Sequence, residues 1–338
     1  MLAACLLAGL FVIRAGECRE GAARGLESCA RVLIPSLFPF MVLSNLLVRT
    51  GVCHASGRRL EGLTRRLFRL SGAFAPVILL SLIGGYPVGA GAVAGLYESG
   101  AVEEREAKRA ALFCVCAGPG FMLNYVGASL YNSVEVGAVM LAAQALSVIV
   151  LGALLALLDR KEVISGKEIK YAPRPFSAAL VRSVSDAARA MLSLCASVVV
   201  FSAFSGIVRS AVPEGGLSVC LEGLVEITAA FPRMTAELPV AAAAFFAGFG
   251  GLCVHAQILG TLGGLRISAA LFFLIRIVQG LLTAGLTRLG LLLLPGELAV
   301  FSTGTVSGAG VFGGSVISAV ALLTVTIVFL KVITANAE

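Results

Sequence analysis

The chain has 338 residues, 58% of them hydrophobic and 13% charged, with a mean hydropathy of +0.98. A soluble domain carries about a quarter charged residues, so a water-soluble fold is excluded and the apolar excess has to face lipid. The net charge of +7 fits basic cytoplasmic loops; nucleic acid is not expected as a partner, because no soluble stretch is long enough to carry a binding patch.

Apolar segments alternate with short charged connectors along the chain. Residues 2–13 form a first, short segment followed by Arg14. It lacks the basic start and small-residue cleavage site of a signal peptide, and it falls below the roughly 20 residues that cross a hydrocarbon core. Membrane segments are then expected at 32–48, 74–96, 110–130, 134–158, 187–208, 238–262, 267–294 and 314–333, with a weaker one at 217–231. Lipid offers backbone groups no partners, so spanning segments must be helical. The fold class is all-α, a polytopic membrane protein.

Four of these segments are interrupted. Segment 32–48 holds Pro35-Ser36-Leu37-Phe38-Pro39, and 74–96 holds Gly84-Gly85-Tyr86-Pro87-Val88-Gly89. Segment 110–130 holds Ala117-Gly118-Pro119-Gly120, and 238–262 holds Gly248-Phe249-Gly250-Gly251. Proline removes a backbone donor and clashes with the preceding turn. Broken backbone at membrane depth survives only inside protein or beside a wet cavity. Four interruptions in one chain are the pattern of re-entrant hairpins and half-helices in transporters.

Two connectors are strongly basic. Arg49, Arg58, Arg59, Arg65, Arg66 and Arg69 face only Glu61, and a second cluster runs from Arg160 to Arg182. Both are expected on the cytoplasmic side. Between them, Glu104 and Lys108 stand at i,i+4 in a solvated helical turn. The nine cysteines lack paired C-x-x-C spacing, so they read as small packed residues, with no structural disulfides. No metal site and no cofactor are expected.

The two halves echo each other weakly. Residues 113–124 can be laid over 245–255 with one gap, which sets Pro119-Gly120 on Gly250-Gly251 and Asn124 on His255. The chain is read as one membrane domain, 1–338, with repeat halves of about 29–158 and 183–294. Substrate then belongs where the halves meet near the midplane.

Polar groups at membrane depth are the candidates for function. Glu222 and Glu226 lie four apart on one helical face, with Thr228 just beyond. They serve an ion or substrate path, or they lie at the interface where Glu is cheap. His255 and Gln257 follow the double glycine; the histidine could donate to a solute, carry a proton or tie two helices together. Arg276 and Gln279 sit mid-helix, and Arg276 could pair with Glu222 or Glu226 or bind an anion. The Gly-Pro breaks expose helix N-termini, which favour anions. Candidate solute contacts are therefore Ser36, Asn45, Tyr86, Pro87, Gly89, Gly118, Gly120, Asn124, Glu222, Glu226, Thr228, Gly250, Gly251, His255 and Gln257. No hydrolase, zinc-protease, nucleotide-loop or kinase signature is present, and an enzyme is not expected.

The segments 34–40 (IPSLFPF), 85–90 (GYPVGA), 116–121 (CAGPGF) and 249–257 (FGGLCVHAQ), in that order, resemble the YlbJ family. These are sporulation integral membrane proteins, also called stage V sporulation protein V, of the nucleoside-recognition Gate superfamily. The resemblance implies an endospore-forming bacterium and a place in the outer forespore membrane. It implies passage of dipicolinic acid from the mother cell toward the forespore. It also implies two inverted repeats with re-entrant hairpins, similar to concentrative nucleoside transporters. One departure is Gly91, where the family's Gly-Tyr-Pro-x-Gly-Ala motif continues with lysine. The expected partners are a small organic anion, the bilayer and a coupling ion; a homo-oligomer is compatible with the sequence. The alternatives are a carrier of a nucleoside or other solute, and a membrane scaffold for spore envelope assembly.

Overall fold

The computed structural model describes residues 9–159 and 175–293, without the side chains of 53–58. The expected segment 314–333, most of 2–13, the basic stretch 160–174 and the His54 side chain lie outside the described residues. Among the described residues the chain is helical, with no strand.

Five helical stretches among the described residues are long and apolar enough to cross a bilayer: Ala15–Arg49, Val134–Leu158, Phe176–Ala211, Val240–Thr261 and Ala269–Leu293. The first combines α1 (Ala15–Ser28), a π-helical turn (Cys29–Leu33) and α2 (Ile34–Arg49). The expected segment 32–48 is thus the apolar half of a longer helix, and the interruption expected there is absent: Pro35 falls in the first turn of α2, where its missing N–H costs little, and the helix runs on through Pro39. Its first half carries charges that pair along one face, Arg14 with Glu17 and Glu27 with Arg31. Amphipathic α3 (Val52–Phe68) follows.

The interrupted segments are of two kinds. Helices α4 (Phe74–Gly84) and α5 (Tyr86–Glu98) pack against each other around Gly85, as a hairpin does. Gly85 has φ +81°, which an L-residue rarely adopts, and Pro87 starts the next helix where its missing N–H costs nothing. By contrast, α6 (Glu104–Phe113) and a π-helix (Gly120–Leu130) do not pack on each other. They form one crossing, interrupted at 114–119. Then comes α7 (Val134–Leu158), whose Ser133 side chain caps the first turn.

The same order of elements occurs again. After α8 (Phe176–Ala211), α9 (Gly216–Val225) and α10 (Ile227–Glu237) make a second hairpin with Glu226 at its tip. Next, α11 (Val240–Phe249) and α12 (Gly251–Thr261) make a second broken crossing at Gly250, φ +95°. Finally α13 (Ala269–Leu293) packs on α11 and α7. The region read as a weak segment, 217–231, is therefore the second hairpin.

The ends of these elements show their direction. The Arg49 end of α2 pairs with Asp186 near the start of α8. The Asp159 end of α7 pairs with Arg105 and Arg109 at the start of α6, and Arg69 donates to the Asp159 carbonyl at 3.4 Å. Glu104 lies within electrostatic reach of Arg266, just before α13. One face of the molecule thus collects the C-terminal ends of α2 and α7 and the N-terminal ends of α8 and α13. Corresponding helices in the two halves run in opposite senses. This face is also the basic one, as expected for a cytoplasmic surface. There Lys108 bonds Glu104 at 2.7 Å and holds its carboxyl below the usual range. Glu106 is buried, and burial pushes its carboxyl up, against the 2.7 Å bond from the Ser71 N–H.

Helices α1 and α8 approach very closely. A Cβ at Gly21 would strike the Ser202 carbonyl, and one at Gly206 would strike the Glu17 carbonyl. Small residues at spacing four, Gly21 and Gly25 against Ser202 and Gly206, are how helices pack without a hydrophobic drive between them.

Candidate functional site

The four tips and breaks converge on one cavity of about 50 Å³, room for a few waters. The first hairpin contributes Gly84, Gly85, Tyr86 and Pro87, and the first broken crossing contributes Ala117, Gly118 and Phe121. The second hairpin contributes Glu226, Ile227 and Thr228, and the second broken crossing contributes Cys253, Val254 and Gln257. Leu33, Leu37 and Met41 of the first crossing and Leu194 and Val198 of α8 close the apolar side.

Three helix N-termini at this cavity have no side-chain cap: α5, the π-helix and α12. Their first N–H groups have no partner within the helix, and each terminus carries the positive end of a helix dipole. The fourth, α10, is capped. The Glu226 carboxylate accepts from the Thr228 N–H at 3.0 Å, the Ala229 N–H at 2.6 Å and the Thr228 hydroxyl at 2.7 Å.

Of the sequence candidates, Tyr86, Pro87, Gly118, Glu226, Thr228 and Gln257 line the cavity. The others lie elsewhere. Ser36 bonds back to the Val32 carbonyl at 2.6 Å, and Asn45 reaches the Ser183 carbonyl at 3.4 Å. Gly89 and Gly120 allow close backbone contact, with the Cys114 and Ser36 carbonyls respectively. Gly250 and Gly251, both with positive φ, make the turn between α11 and α12 and are not among the lining residues. Asn124 is exposed on the outside of the π-helix. Glu222 is ion-paired with Arg233 and accepts from Ser218. His255 is buried among the rings of Phe249, Phe272 and Phe273, and its Nε2 meets the Phe249 carbonyl at 2.9 Å. Asn124 and His255 therefore do not meet Gln257 in one cluster.

Arg276 pairs with neither Glu222 nor Glu226. It is 0% exposed, the largest fully buried side chain among the described residues, and its partners are backbone carbonyls and the Gln279 side chain. It donates to Val115 at 2.6 Å, to Phe249 at 3.1 Å and to Gly248. Val115 lies just past the end of α6, and Gly248 and Phe249 end α11. These are the negative ends of two half-helices, one from each half, so a cation suits the place. Gln279 accepts from Arg276 and donates to Val115 at 3.2 Å. Tyr86, which lines the cavity, lies with its ring centroid 5.8 Å from the guanidinium and donates to the Ala247 carbonyl. Gln144 of α7 donates to that same carbonyl at 3.1 Å, and Ser147 meets Thr283 at 3.0 Å. Gln144 and Ser147 escaped the sequence reading, although each is an isolated polar residue in the apolar run of Val134–Leu158.

The Gate family model, described as nucleoside recognition, matches residues 30–157. The chain is 26% identical over 308 residues to the sporulation integral membrane protein YlbJ of Bacillus subtilis (strain 168), covering 78% of this chain and 75% of that protein. The resemblance carried by the four motifs is thus shown, and with the apolar helices it identifies an integral membrane protein. No solved structure matches.

Proposed function

We propose that the chain is a membrane carrier for a small organic anion, with the four-break cavity as its solute site. The observation that carries this reading is the convergence of two hairpin tips and two helix breaks, one of each from either half, with three uncapped N-termini among them. Each such terminus favours an anion by about 1 kcal/mol, and backbone broken at membrane depth lines solute paths. The halves 29–158 and 183–294 act as inverted repeats that rock about this site. The role is transport rather than catalysis.

The solute is dipicolinate, and the membrane is the outer forespore membrane. The motif resemblance and the sporulation wording in the relative's name support both. A flat aromatic dicarboxylate needs more room than about 50 Å³, so binding requires the hairpins to part. A neutral nucleoside is the second reading. It is favoured by the hydrogen-bonding set of Glu226, Thr228 and Gln257 beside Tyr86 and Phe121, and by the description of the matched family model.

The test is uptake of labelled dipicolinate by proteoliposomes holding the purified protein, with Gln257→Ala and His255→Ala alongside. Saturable uptake that excess uridine leaves intact, and that Gln257→Ala weakens at least tenfold, supports the anion carrier. Uptake blocked by uridine supports the nucleoside reading. Absence of uptake for both solutes sinks the carrier and leaves the scaffold.

A further inference from the structure

Glu226 is a carboxylate without a counter-charge. It is 1% exposed, and among the described residues no Lys, Arg or His comes within ion-pair distance of it. Its neighbours on each packed element supply none. On its own hairpin, Arg233 is held by Glu222 and Glu237. Helix α11 and the π-helix carry no charged residue, and on α12 His255 faces the rings of Phe249, Phe272 and Phe273 instead. On α1, the ion pairs Arg14–Glu17, Arg24–Glu20 and Arg31–Glu27 are internal to the helix and its flanks, and Arg19 is exposed. On α8, Asp186 is held by Arg49, while Arg182, Arg189 and Arg209 are exposed. The titratable groups near Glu226 are the Cys29 and Cys253 thiols and Tyr125, whose hydroxyl donates to the Thr228 carbonyl.

The carboxylate also lines the cavity proposed for an anion. Two charges about 6 Å apart in such an interior repel enough to weaken binding roughly a hundredfold. Something must neutralise Glu226 when the solute enters. A metal cation suits the place poorly. Among the described residues no group of three metal-ligating side chains surrounds Glu226, and the Thr228 N–H, the Thr228 hydroxyl and the Ala229 N–H take three of the roughly four acceptor sites of its carboxylate. A proton suits it well. It adds to Oε2, and the bond with Thr228 reverses, so that the carboxylic acid donates to the hydroxyl oxygen while Ala229 still donates to the second lone pair.

We infer that the anion crosses together with one proton carried on Glu226, which binds it from water on the entry side and returns it to water on release. This rests on the carrier reading. Glu222 has no part in the coupling, because Arg233 neutralises it in place.

The test has two arms, both with dipicolinate as the probe. Calorimetry on the detergent-purified protein gives affinity between pH 6 and 8, where both solute carboxylates are ionised. The expected result is a loss of affinity approaching tenfold per pH unit at its steepest in wild type, against a change within twofold for Glu226→Gln. That variant keeps an oxygen for the Ala229 N–H and is checked for a monodisperse elution profile. In the second arm, wild-type proteoliposomes loaded with a pH-sensitive dye receive dipicolinate without an imposed pH gradient. The interior should acidify by about one proton per dipicolinate taken up, a count set by the single unpaired carboxylate. Flat wild-type affinity, or uptake that follows a sodium gradient without acidification, overturns the proton coupling and leaves the carrier standing. No binding at any pH overturns the carrier and the coupling together.

Discussion

Replacing Arg276 by Met keeps most of the side-chain volume and removes every donor. The guanidinium serves three backbone carbonyls, of Val115, Gly248 and Phe249, and the Gln279 side chain. Each hydrogen bond from a charged donor contributes about 1.5–3 kcal/mol, and acceptors left bare in a dry site add their own desolvation cost. Partial rescue comes from Gln279, which already donates to Val115. The bonds to Gly248 and Phe249 have no such replacement, and two losses of this size come to about 3–5 kcal/mol. On soluble-protein scaling this lowers the melting temperature by about 10 °C. Lysine restores the charge as a single point and cannot reach carbonyls on both half-helices, so Arg276→Lys should recover less than half of the loss. The assay is thermal unfolding in detergent, followed by loss of the monodisperse elution peak. A melting temperature for Arg276→Met within about 2 °C of wild type (under ~1 kcal/mol on the same scaling) would refute the bridging role given to this residue.

Three further outcomes follow from close contacts and buried charge. Gly120→Ala places a methyl against the Ser36 carbonyl, so the π-helix must shift away from α2; expression of folded protein should fall severalfold, read by fluorescence-detected elution. Glu106 is buried with its charged form disfavoured. Its raised pKa means that its contribution to stability is present at low pH and is lost as pH rises through the folded value. Glu106→Gln, which still accepts from the Ser71 N–H, should therefore be more stable than wild type by about 1 kcal/mol at pH 8, with the gap closing below pH 5; an equal gap at both pH values would count against burial as the cause. Breaking the pair at the second hairpin with Arg233→Gln should destabilise more than Glu222→Gln, because the first leaves the buried Glu222 carboxylate with Ser218 alone, whereas the second leaves Arg233 still paired with Glu237. A double-mutant cycle should show coupling of at least about 1 kcal/mol.

Much of this architecture was legible because lipid makes apolar length and backbone punctuation informative. The stretch 134–158 coincides with α7, and the breaks at Gly85, Gly118 and Gly250 lie where glycine and proline cluster. The extent of the first crossing was not legible. Ala15–Ser28 carries Glu17, Arg19, Glu20, Arg24 and Glu27, which read as a connector, while the π turn joins it to α2 without interruption. The facing of Asn124 was hidden for a related reason. A π-helix has a wider turn than 3.6 residues, so helical spacing misplaces its inner face. The partners of Arg276 were beyond a residue-by-residue reading, which looks for carboxylates and cannot see carbonyls freed by a broken helix. Glu226 was found as a membrane carboxylate, but only the hairpin geometry separates it from Glu222, four residues away.

Helix α8 runs for 36 residues, about 54 Å, against a hydrocarbon core of about 30 Å. The stretch from Ala15 to Arg49 packed on it is nearly as long. Even at the steepest tilts common in membranes, about 40°, such a pair reaches past the lipid tails into the headgroups or beyond. The helices α7 and α13, at 25 residues each, are close to the span of the tails when tilted. Bilayer thickness therefore acts unequally on the two groups. The long pair stays anchored in any bilayer, while the shorter helices must tilt to follow it. A host membrane with longer or shorter acyl chains would thus bias how the cavity opens, with no change in any side chain that lines it.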